Sequence, residues 1–145
     1  MSAKEIIRIG QIEVIFLLEG KDTNEQMAMF EFTVPSEARV PIPHSHEAYD
    51  EIVYGLEGVF TFHIDGKTVE IAKGETLFIP RGAVHGFNNL HTTPAKALCV
   101  VTPALIGPDF FKEAGALINA GGPPDMQQLR SIYAKWGLKP AVPGT

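Results

Sequence analysis

The chain carries the segment His44-Ser45-His46-Glu47-Ala48-Tyr49-Asp50-Glu51, in which two histidines stand two residues apart and a glutamate follows. Side chains at positions i and i+2 of a β-strand lie on the same face of the strand. The rings of His44 and His46 can therefore converge on one point, and a carboxylate is available nearby in sequence. The segment predicts one half of a metal site.

A third histidine lies in a second segment that contains regularly placed turn residues. This segment contains Gly74, Pro80, Gly82, His85 and Asn89. Together the two segments offer three imidazole nitrogens and one carboxylate oxygen, which suit a divalent transition metal such as Fe, Mn, Ni, Zn or Cu. The sequence therefore predicts a metal site shared between two distant segments, and it does not identify the ion.

The two segments resemble the two motifs of the cupin superfamily. The first motif, H-x-H-x(3,4)-E-x6-G, is met from His44 to Gly58, and the second, G-x5-P-x-G-x2-H-x3-N, is met at every position from Gly74 to Asn89. The family pattern opens with a glycine six residues before the first histidine, where this chain has Ala38. The resemblance covers about residues 27–104 and extends to small single-domain cupins of the quercetinase-like group.

The resemblance implies both the metal ligands and the fold. Across the family the corresponding residues bind the metal, so these roles pass to His44, His46, Glu51 and His85. Glu51 is also the implied catalytic residue, as the proton acceptor for a bound enol. The implied fold class is all-β, a double-stranded β-helix or jelly-roll barrel, followed here by two short C-terminal α-helices.

Short β-rich runs separated by turn residues agree with a barrel. Asp65-Gly66 lies between two alternating runs and predicts a hairpin, because both residues tolerate a positive φ in a type I′ turn. The predicted strands span residues 6–9, 12–18, 27–34, 40–46, 52–54, 59–64, 68–72, 76–79, 85–88 and 95–102. The sequence shows no internal repeat, so we predict a single barrel over residues 1–104.

After residue 104 the pattern becomes helical. Pro108 is typical of a first helical turn, and a second helix is expected from about Asp125 to Gly137. The apolar stripe of the second helix consists of Met126, Leu129, Ile132, Tyr133 and Trp136. We predict that residues 105–137 pack on the outside of the barrel, with a substrate lid or a dimer contact as alternatives for the stripe. Residues 138–145 are predicted to form a flexible tail.

Other histidines and carboxylates compete for places in the site. His63 and His91 are interpreted as ordinary residues outside the metal shell. Glu47 and Asp50 are candidate substitutes for Glu51, and the motif spacing favours Glu51. The alternative to a metal site is a metal-free pocket in which the three motif histidines hydrogen-bond each other or water.

Aromatic residues surround the ligand positions along the chain and predict an apolar pocket. Alternation must turn some of them into the barrel, and an apolar cavity with one polar centre is the usual form of a small-molecule site. The residues concerned are Tyr49, Tyr54, Phe60, Phe62, Phe78 and Phe87. No Lys/Arg cluster lies near the motifs, so an uncharged or aromatic organic substrate is favoured over a phosphorylated sugar. Arg81 is interpreted as a lone surface residue and Cys99 as a buried small hydrophobic residue.

Composition limits the partners of the protein. The formal net charge is −5 at pH 7 with scattered basic residues, which gives no electrostatic footprint for nucleic acid. No apolar segment is long enough to span a membrane, and residues 6–18 alternate like a strand rather than a signal peptide. The single cysteine fits a reducing compartment, so we expect a cytoplasmic protein.

The apolar N-terminal strands would leave an open sheet edge, and together with the resemblance this predicts a homodimer.

Three functions are compatible with these features. The first, favoured by the resemblance, is a metal-dependent dioxygenase-type oxidoreductase acting on a small phenolic, enol or diketone-like substrate. The second is a metal-bearing binding or sensory module that leaves its ligand intact. The third is a non-redox isomerase, hydrolase or lyase that uses the metal as a Lewis acid.

Overall fold

The computed structural model describes residues 4–141, which form eleven strands, two α-helices and one short 3-10 helix. The strands are β1 (Ile7–Ile9), β2 (Ile12–Leu18), β3 (Ala28–Val34), β4 (His44–His46), β5 (Asp50–Glu57), β6 (Phe60–Ile64), β7 (Lys67–Ile71), β8 (Thr76–Ile79), β9 (His85–Asn88), β10 (Ala95–Thr102) and β11 (Leu138–Pro140). The helices are the 3-10 helix Gly20–Asp22, α1 (Pro108–Asn119) and α2 (Met126–Lys135).

The strands form two antiparallel sheets. One sheet has the order β1-β2-β3-β10-β5-β8 and the other the order β11-β4-β9-β6-β7. Strands that are distant in sequence, such as β3 and β10, are neighbours in the sheet, which is the connectivity of a jelly roll. The predicted fold class, an all-β jelly-roll barrel with two C-terminal helices, is confirmed.

Alternation of side chains builds the core. In β10 every second residue is buried from Ala95 to Val101, and β3 follows the same period from Ala28 to Val34. Aromatic rings meet in the middle, where the ring centroids of Phe32 and Phe60 lie 4.9 Å apart. Full burial of each such side chain contributes about 1.5–3 kcal/mol, so this apolar interior supplies most of the stability of the fold.

The predicted hairpin forms between β6 and β7. Asp65 has φ of 46° and Gly66 has φ of 81°, and the pairing of Ile64 with Lys67 closes the turn. These are the backbone angles that a type I′ turn requires.

Two strands differ from the prediction by more than one residue at an end. Strand β4 begins at His44 rather than at residue 40, because Pro41 and Pro43 lack the backbone N–H that a ladder needs. Strand β5 is longer than residues 52–54, since it pairs with β10 on one side and with β8 on the other.

Helix α1 covers the edge of the six-stranded sheet at β1. The side chain of Asn119 donates to the backbone oxygen of Arg8 at 2.8 Å and accepts from the backbone N–H of Gly10 at 2.8 Å. The expectation that the N-terminal strands leave an open edge is therefore wrong, because a helix side chain satisfies these edge groups. None of the helices between residues 4 and 141 has the length and apolar character needed to cross a membrane.

The C-terminal segment differs from the predicted flexible tail. Leu138–Pro140 forms β11, which pairs with β4 in the register Leu138 to His46 and Pro140 to His44. Leu138 is buried, so packing and backbone pairing outweigh the weak local propensity of this segment. Residues 142–145 of the predicted tail lie outside the described residues.

Candidate metal centre

Two adjacent strands bring the three motif histidines together. Strand β4 carries His44 and His46, and β9 begins at His85, which pairs directly with His44. The ring centroid of His85 lies 4.6 Å from that of His44 and 4.9 Å from that of His46. One nitrogen of each ring lies within 4.8 Å of the other two, so the three histidines are positioned to bind one metal ion.

Backbone carbonyls fix the orientation of each ring. The Nδ1 atoms contact Ile42 O at 3.3 Å for His44, Tyr49 O at 2.8 Å for His46 and Ala83 O at 2.9 Å for His85. A carbonyl can only accept a hydrogen bond, so each contact places the ring proton on Nδ1 and leaves a lone pair on Nε2. Metal-binding histidines are held in this way by outer hydrogen bonds.

The surroundings of the Nε2 atoms indicate whether the site fits a metal ion. Those of His46 and His85 are buried and have no hydrogen-bond partner among the described residues. A buried polar atom without a partner costs about 1–3 kcal/mol, so two such atoms side by side need an explanation. A divalent metal bound by Nε2 supplies one, and the donor set fits. The rings do not hydrogen-bond each other through these atoms, which removes one form of the metal-free alternative.

Glu51 lies at one side of the histidine cluster. Its Oε1 atom is 3.5 Å from Nε2 of His46, and its side chain is 15% exposed. Burial would raise the pKa of Glu51, but the adjacent imidazoles of His46, His85 and His44 outweigh burial and hold the pKa below its usual range. The group is therefore a carboxylate, the form that accepts a proton or binds a cation.

Burial also keeps the neighbouring imidazole neutral. Burial and the neighbouring imidazole of His85 lower the pKa of His44 to about 4, and the carboxylate of Glu51 opposes this effect only in part. A neutral imidazole is the form that binds a metal.

The alternative carboxylates have other roles. Asp50 accepts a hydrogen bond from the backbone N–H of Arg81 at 3.2 Å and pairs with its Nε atom at 3.4 Å. Arg81 is thus paired, which differs from the prediction of a lone surface residue. Glu47 is exposed. The structure brings Glu51 next to the histidine cluster and engages Asp50 elsewhere.

The two other histidines that the sequence excludes from the metal shell contact different groups. His63 lies 3.1 Å from Asn88 Oδ1 through its Nε2 atom, and His91 pairs with Glu70 at 3.3 Å. Neither belongs to the histidine cluster of the site.

An apolar cavity of about 90 Å³ opens beside the histidines and Glu51. Of the six aromatic residues singled out from the sequence, Tyr49, Phe62 and Phe87 line the cavity. Phe60 is buried in the core, while Tyr54 and Phe78 are exposed on the outside of the barrel. The helices complete the wall with residues such as Phe110 and Tyr133.

Three side chains near the site have roles that the sequence analysis missed. The ring of Tyr49 stacks on His46 at 4.0 Å, and its hydroxyl is buried without a partner. Tyr133 of α2 reaches His44, with ring centroids 5.8 Å apart, and burial raises its pKa to about 12. Cys99 lines the cavity, and burial, with the neighbouring Glu51, raises the pKa of its thiol far above its usual range. The alternation of β10 indicated that Cys99 points into the barrel, whereas the position of Tyr133 depends on how α2 packs against the barrel.

Comparisons with known proteins agree with this geometry. Residues 30–101 match the family model described as a cupin domain. The chain is 32% identical over 95 residues to quercetin 2,3-dioxygenase of Bacillus subtilis, a match that covers 66% of this chain and 27% of that protein. It is 31% identical over 93 residues to an oxalate-binding protein of Thermotoga maritima, which covers 63% of this chain and 76% of that protein. The chain thus spans only 27% of the length of the dioxygenase.

The fold is also found among solved structures. The crystal structure of a predicted oxalate decarboxylase from Thermotoga maritima superposes with a TM-score of 0.62 and 26% identity, covering 69% of this chain and 91% of that chain. The match of the family model includes Glu51 and both strands that carry the histidine cluster. Motifs, fold and relatives agree, and the chain belongs to the cupin superfamily.

Proposed function

We propose that the protein is a metal-dependent cupin enzyme, a dioxygenase-type oxidoreductase that acts on a small phenolic, enol or diketone-like substrate. The observation that carries the proposal is the pair of buried Nε2 atoms of His46 and His85 that have no hydrogen-bond partner and lie next to Glu51, at the wall of the apolar cavity that His85 and Glu51 line. The likeness to quercetin 2,3-dioxygenase supports oxygen chemistry.

A divalent metal held by Nε2 of the three histidines and by Glu51 would supply a Lewis-acid and redox centre. The residues of the chain perform the other tasks. The carboxylate of Glu51 accepts the proton of an enol or phenol hydroxyl, because its lowered pKa keeps it ionised before the substrate arrives. The unpartnered hydroxyl of Tyr49 is available to donate a hydrogen bond to a substrate oxygen. Apolar walls exclude water from this pocket.

The size of the cavity limits the part of the substrate that can enter. A volume of about 90 Å³ is well below the roughly 300–1,000 Å³ of sites that enclose a drug-sized ligand. The cavity therefore accepts a small oxygen-bearing head group. In a dioxygenase reaction both atoms of O2 enter the organic product, so O2 is the only oxidant and no separate reductant is consumed.

The proposal is tested by oxygen uptake. Protein loaded separately with Fe, Mn, Ni and Cu is mixed with a panel of catechols, enols and β-diketones, and O2 consumption is compared with product formation. One O2 should be consumed per product molecule, and both atoms of ¹⁸O2 should appear in the product. Glu51→Gln should lose the activity, while Asp50→Asn, a matched change at the neighbouring carboxylate, should retain it. Anaerobic turnover at an undiminished rate would rule out the dioxygenase.

A ligand-binding protein without turnover is the second candidate, and two observations favour it. The cavity is small, and one relative of similar length is described as an oxalate-binding protein. A binding protein would show a rise in melting temperature with a ligand that is later recovered intact. Turnover at equal rates with Zn and with Fe would instead point to non-redox chemistry.

A further inference from the structure

A second, larger cavity lies outside the inner one. This outer cavity, which we call the vestibule, has a volume of about 410 Å³, within the range of small-molecule sites. It lies between the β1–β2 turn, the loop that leads into β4, and the α1–α2 connection.

The vestibule and the inner cavity are adjacent. They share wall residues from three separate parts of the chain, including Ile12, Ile42 and Tyr133. A molecule with its head beside the histidines would therefore reach the vestibule by passing between these shared side chains.

The chemistry of the vestibule is apolar with one positive charge. Arg39 is the one charged residue among the described residues that line it. Arg39 is exposed and makes no ion pair with any residue between 4 and 141, so its guanidinium is available to a ligand. A guanidinium matches the geometry of a carboxylate and can bind it through two hydrogen bonds.

We propose that the substrate is an elongated organic anion, whose oxygen-bearing head enters the inner cavity and whose carboxylate pairs with Arg39 across the vestibule. This inference rests on the proposed function for the nature of the head group. The inference adds a negative charge at the far end of the substrate, which the sequence did not predict. Arg39 precedes His44 by five residues, so their Cα atoms are at most about 18 Å apart. One aromatic ring with a short acid side chain fits within this length.

The test compares a matched pair of ligands. The probes are 3-(3,4-dihydroxyphenyl)propanoate and its methyl ester, which share the catechol head and differ in charge. Binding to Zn-loaded protein is measured by calorimetry under nitrogen, so that turnover cannot consume the ligand. The acid should bind about fivefold more tightly than the ester, the upper range for a partly exposed ion pair. Arg39→Gln should abolish this preference, and Arg130→Gln, at an exposed position on α2 outside the vestibule, should keep it.

The outcomes separate this inference from the proposed function. Equal binding of acid and ester, failure of both to bind, or a preference that survives in Arg39→Gln would overturn the role of Arg39. Oxygen uptake is recorded in parallel with Fe-loaded protein. Binding with the charge preference but without oxygen uptake would refute the dioxygenase and leave the anion site in place.

A separate observation concerns the outer face of the six-stranded sheet. Phe78, Tyr54 and Ile52 are 57%, 41% and 40% exposed. Phe78 pairs with Ile52, Ile52 with Val100, and Val100 with Met29, so apolar side chains form a row across four strands. A contiguous apolar face of this kind is typical of an interaction surface.

The charges around this face favour a second copy of the chain as its partner. Glu31 pairs with Lys96 at 3.8 Å, and Asp50 pairs with Arg81 at 3.4 Å, so charges of both signs are balanced beside the apolar row. A two-fold interface needs a surface that complements itself, and a neutral apolar face meets this condition although the whole chain carries a charge of −5. We infer that the homodimer predicted from the sequence forms through this sheet face.

Light scattering at micromolar concentration tests the dimer. The wild type should show twice the chain mass of 15.8 kDa. Phe78→Lys and Ile52→Lys should each give a monomer that retains its metal content, since both side chains are exposed. Leu90→Lys, at a 63% exposed apolar position in a loop, should remain a dimer. A monomeric wild type, or dimers that persist in both face variants, would overturn the proposal.

Discussion

Removal of His85 should separate metal binding from folding. His85→Ala takes one nitrogen from the histidine cluster, and we expect metal affinity to fall by tenfold to a hundredfold, or about 1.4–2.7 kcal/mol. The ring lines an existing cavity, so its removal enlarges that cavity rather than creating an isolated void in the core.

Without metal, His85→Ala should change the free energy of unfolding only slightly, because two contributions to that free energy oppose each other. The variant loses the contact of His85 Nδ1 with Ala83 O, worth about 0.5–1.5 kcal/mol. It also loses a buried Nε2 atom without a partner, whose burial costs about 1–3 kcal/mol. We therefore expect the free energy of unfolding without metal to change by about 1 kcal/mol or less.

With metal present, the free energies of unfolding of the wild type and His85→Ala should differ more. A free metal concentration of 100 times Kd stabilises the wild type by about 2.7 kcal/mol, and a hundredfold weaker site retains about 0.4 kcal/mol at the same concentration. Urea unfolding with and without chelator measures both differences, and elemental analysis gives the occupancy. Glu51→Gln should also lose metal strongly, whereas Asp50→Asn should be nearly silent because Asp50 contacts Arg81. Full occupancy in His85→Ala, or a larger loss in Asp50→Asn than in Glu51→Gln, would refute the ligand assignment.

Three further predictions concern the scaffold. Asp125→Ala removes the side chain that caps the first N–H groups of α2, so thermal unfolding should show a loss of about 1 kcal/mol. Gly58→Ala should cost more than about 1 kcal/mol in urea unfolding, because Gly58 has φ of 62° and an added Cβ would collide with Pro94 O. The hydrogen bond from Lys135 holds the pKa of Glu113 below its usual range, so the ionised group stabilises the helix pair. The stability difference between the wild type and Glu113→Gln should therefore be present at neutral pH and vanish as the pH falls through that lowered pKa.

The strands that carry the three motif histidines were predictable because a shared metal site and the fold would impose the same sequence pattern. His44 and His46 must share a face, and the turn residues that position His85 are part of its motif. Local alternation likewise gave β2, β8, β9 and β10 with the bounds that the structure shows. These features depend on residues that are close together in the sequence.

The outer apolar face could have been derived from the sequence as well. If Glu51 points into the barrel, alternation turns Ile52 and Tyr54 outward on the same strand. Of the six aromatic residues near the motifs, Tyr54 and Phe78 lie on the outside of the barrel and do not face the predicted pocket. The orientation of one side chain on a strand thus fixes the orientation of its neighbours on the same strand.

Other features could not be derived in this way, because they depend on contacts between distant residues. Strand β11 has a proline and no alternation, and it forms because β4 offers it a partner. The contact of Tyr133 with His44 requires the packing of α2 on the barrel. Local sequence predicts an apolar stripe that includes Tyr133, but it does not show which residue Tyr133 contacts or that β4 pairs with residues 138–140.

The C-terminal segment connects these observations, since it lies outside the part of the chain that the cupin family model matches. That match ends at residue 101, yet α1, α2 and β11 supply Phe110, Tyr133 and Leu138 to the cavity wall. Strand β11 also hydrogen-bonds to the strand that carries His44 and His46. The barrel therefore provides the candidate metal ligands and most of the cavity wall, while the C-terminal segment contributes a further part of that wall. It follows that changes in the C-terminal segment should alter ligand preference with little effect on metal content, whereas changes in the motif histidines should do the reverse.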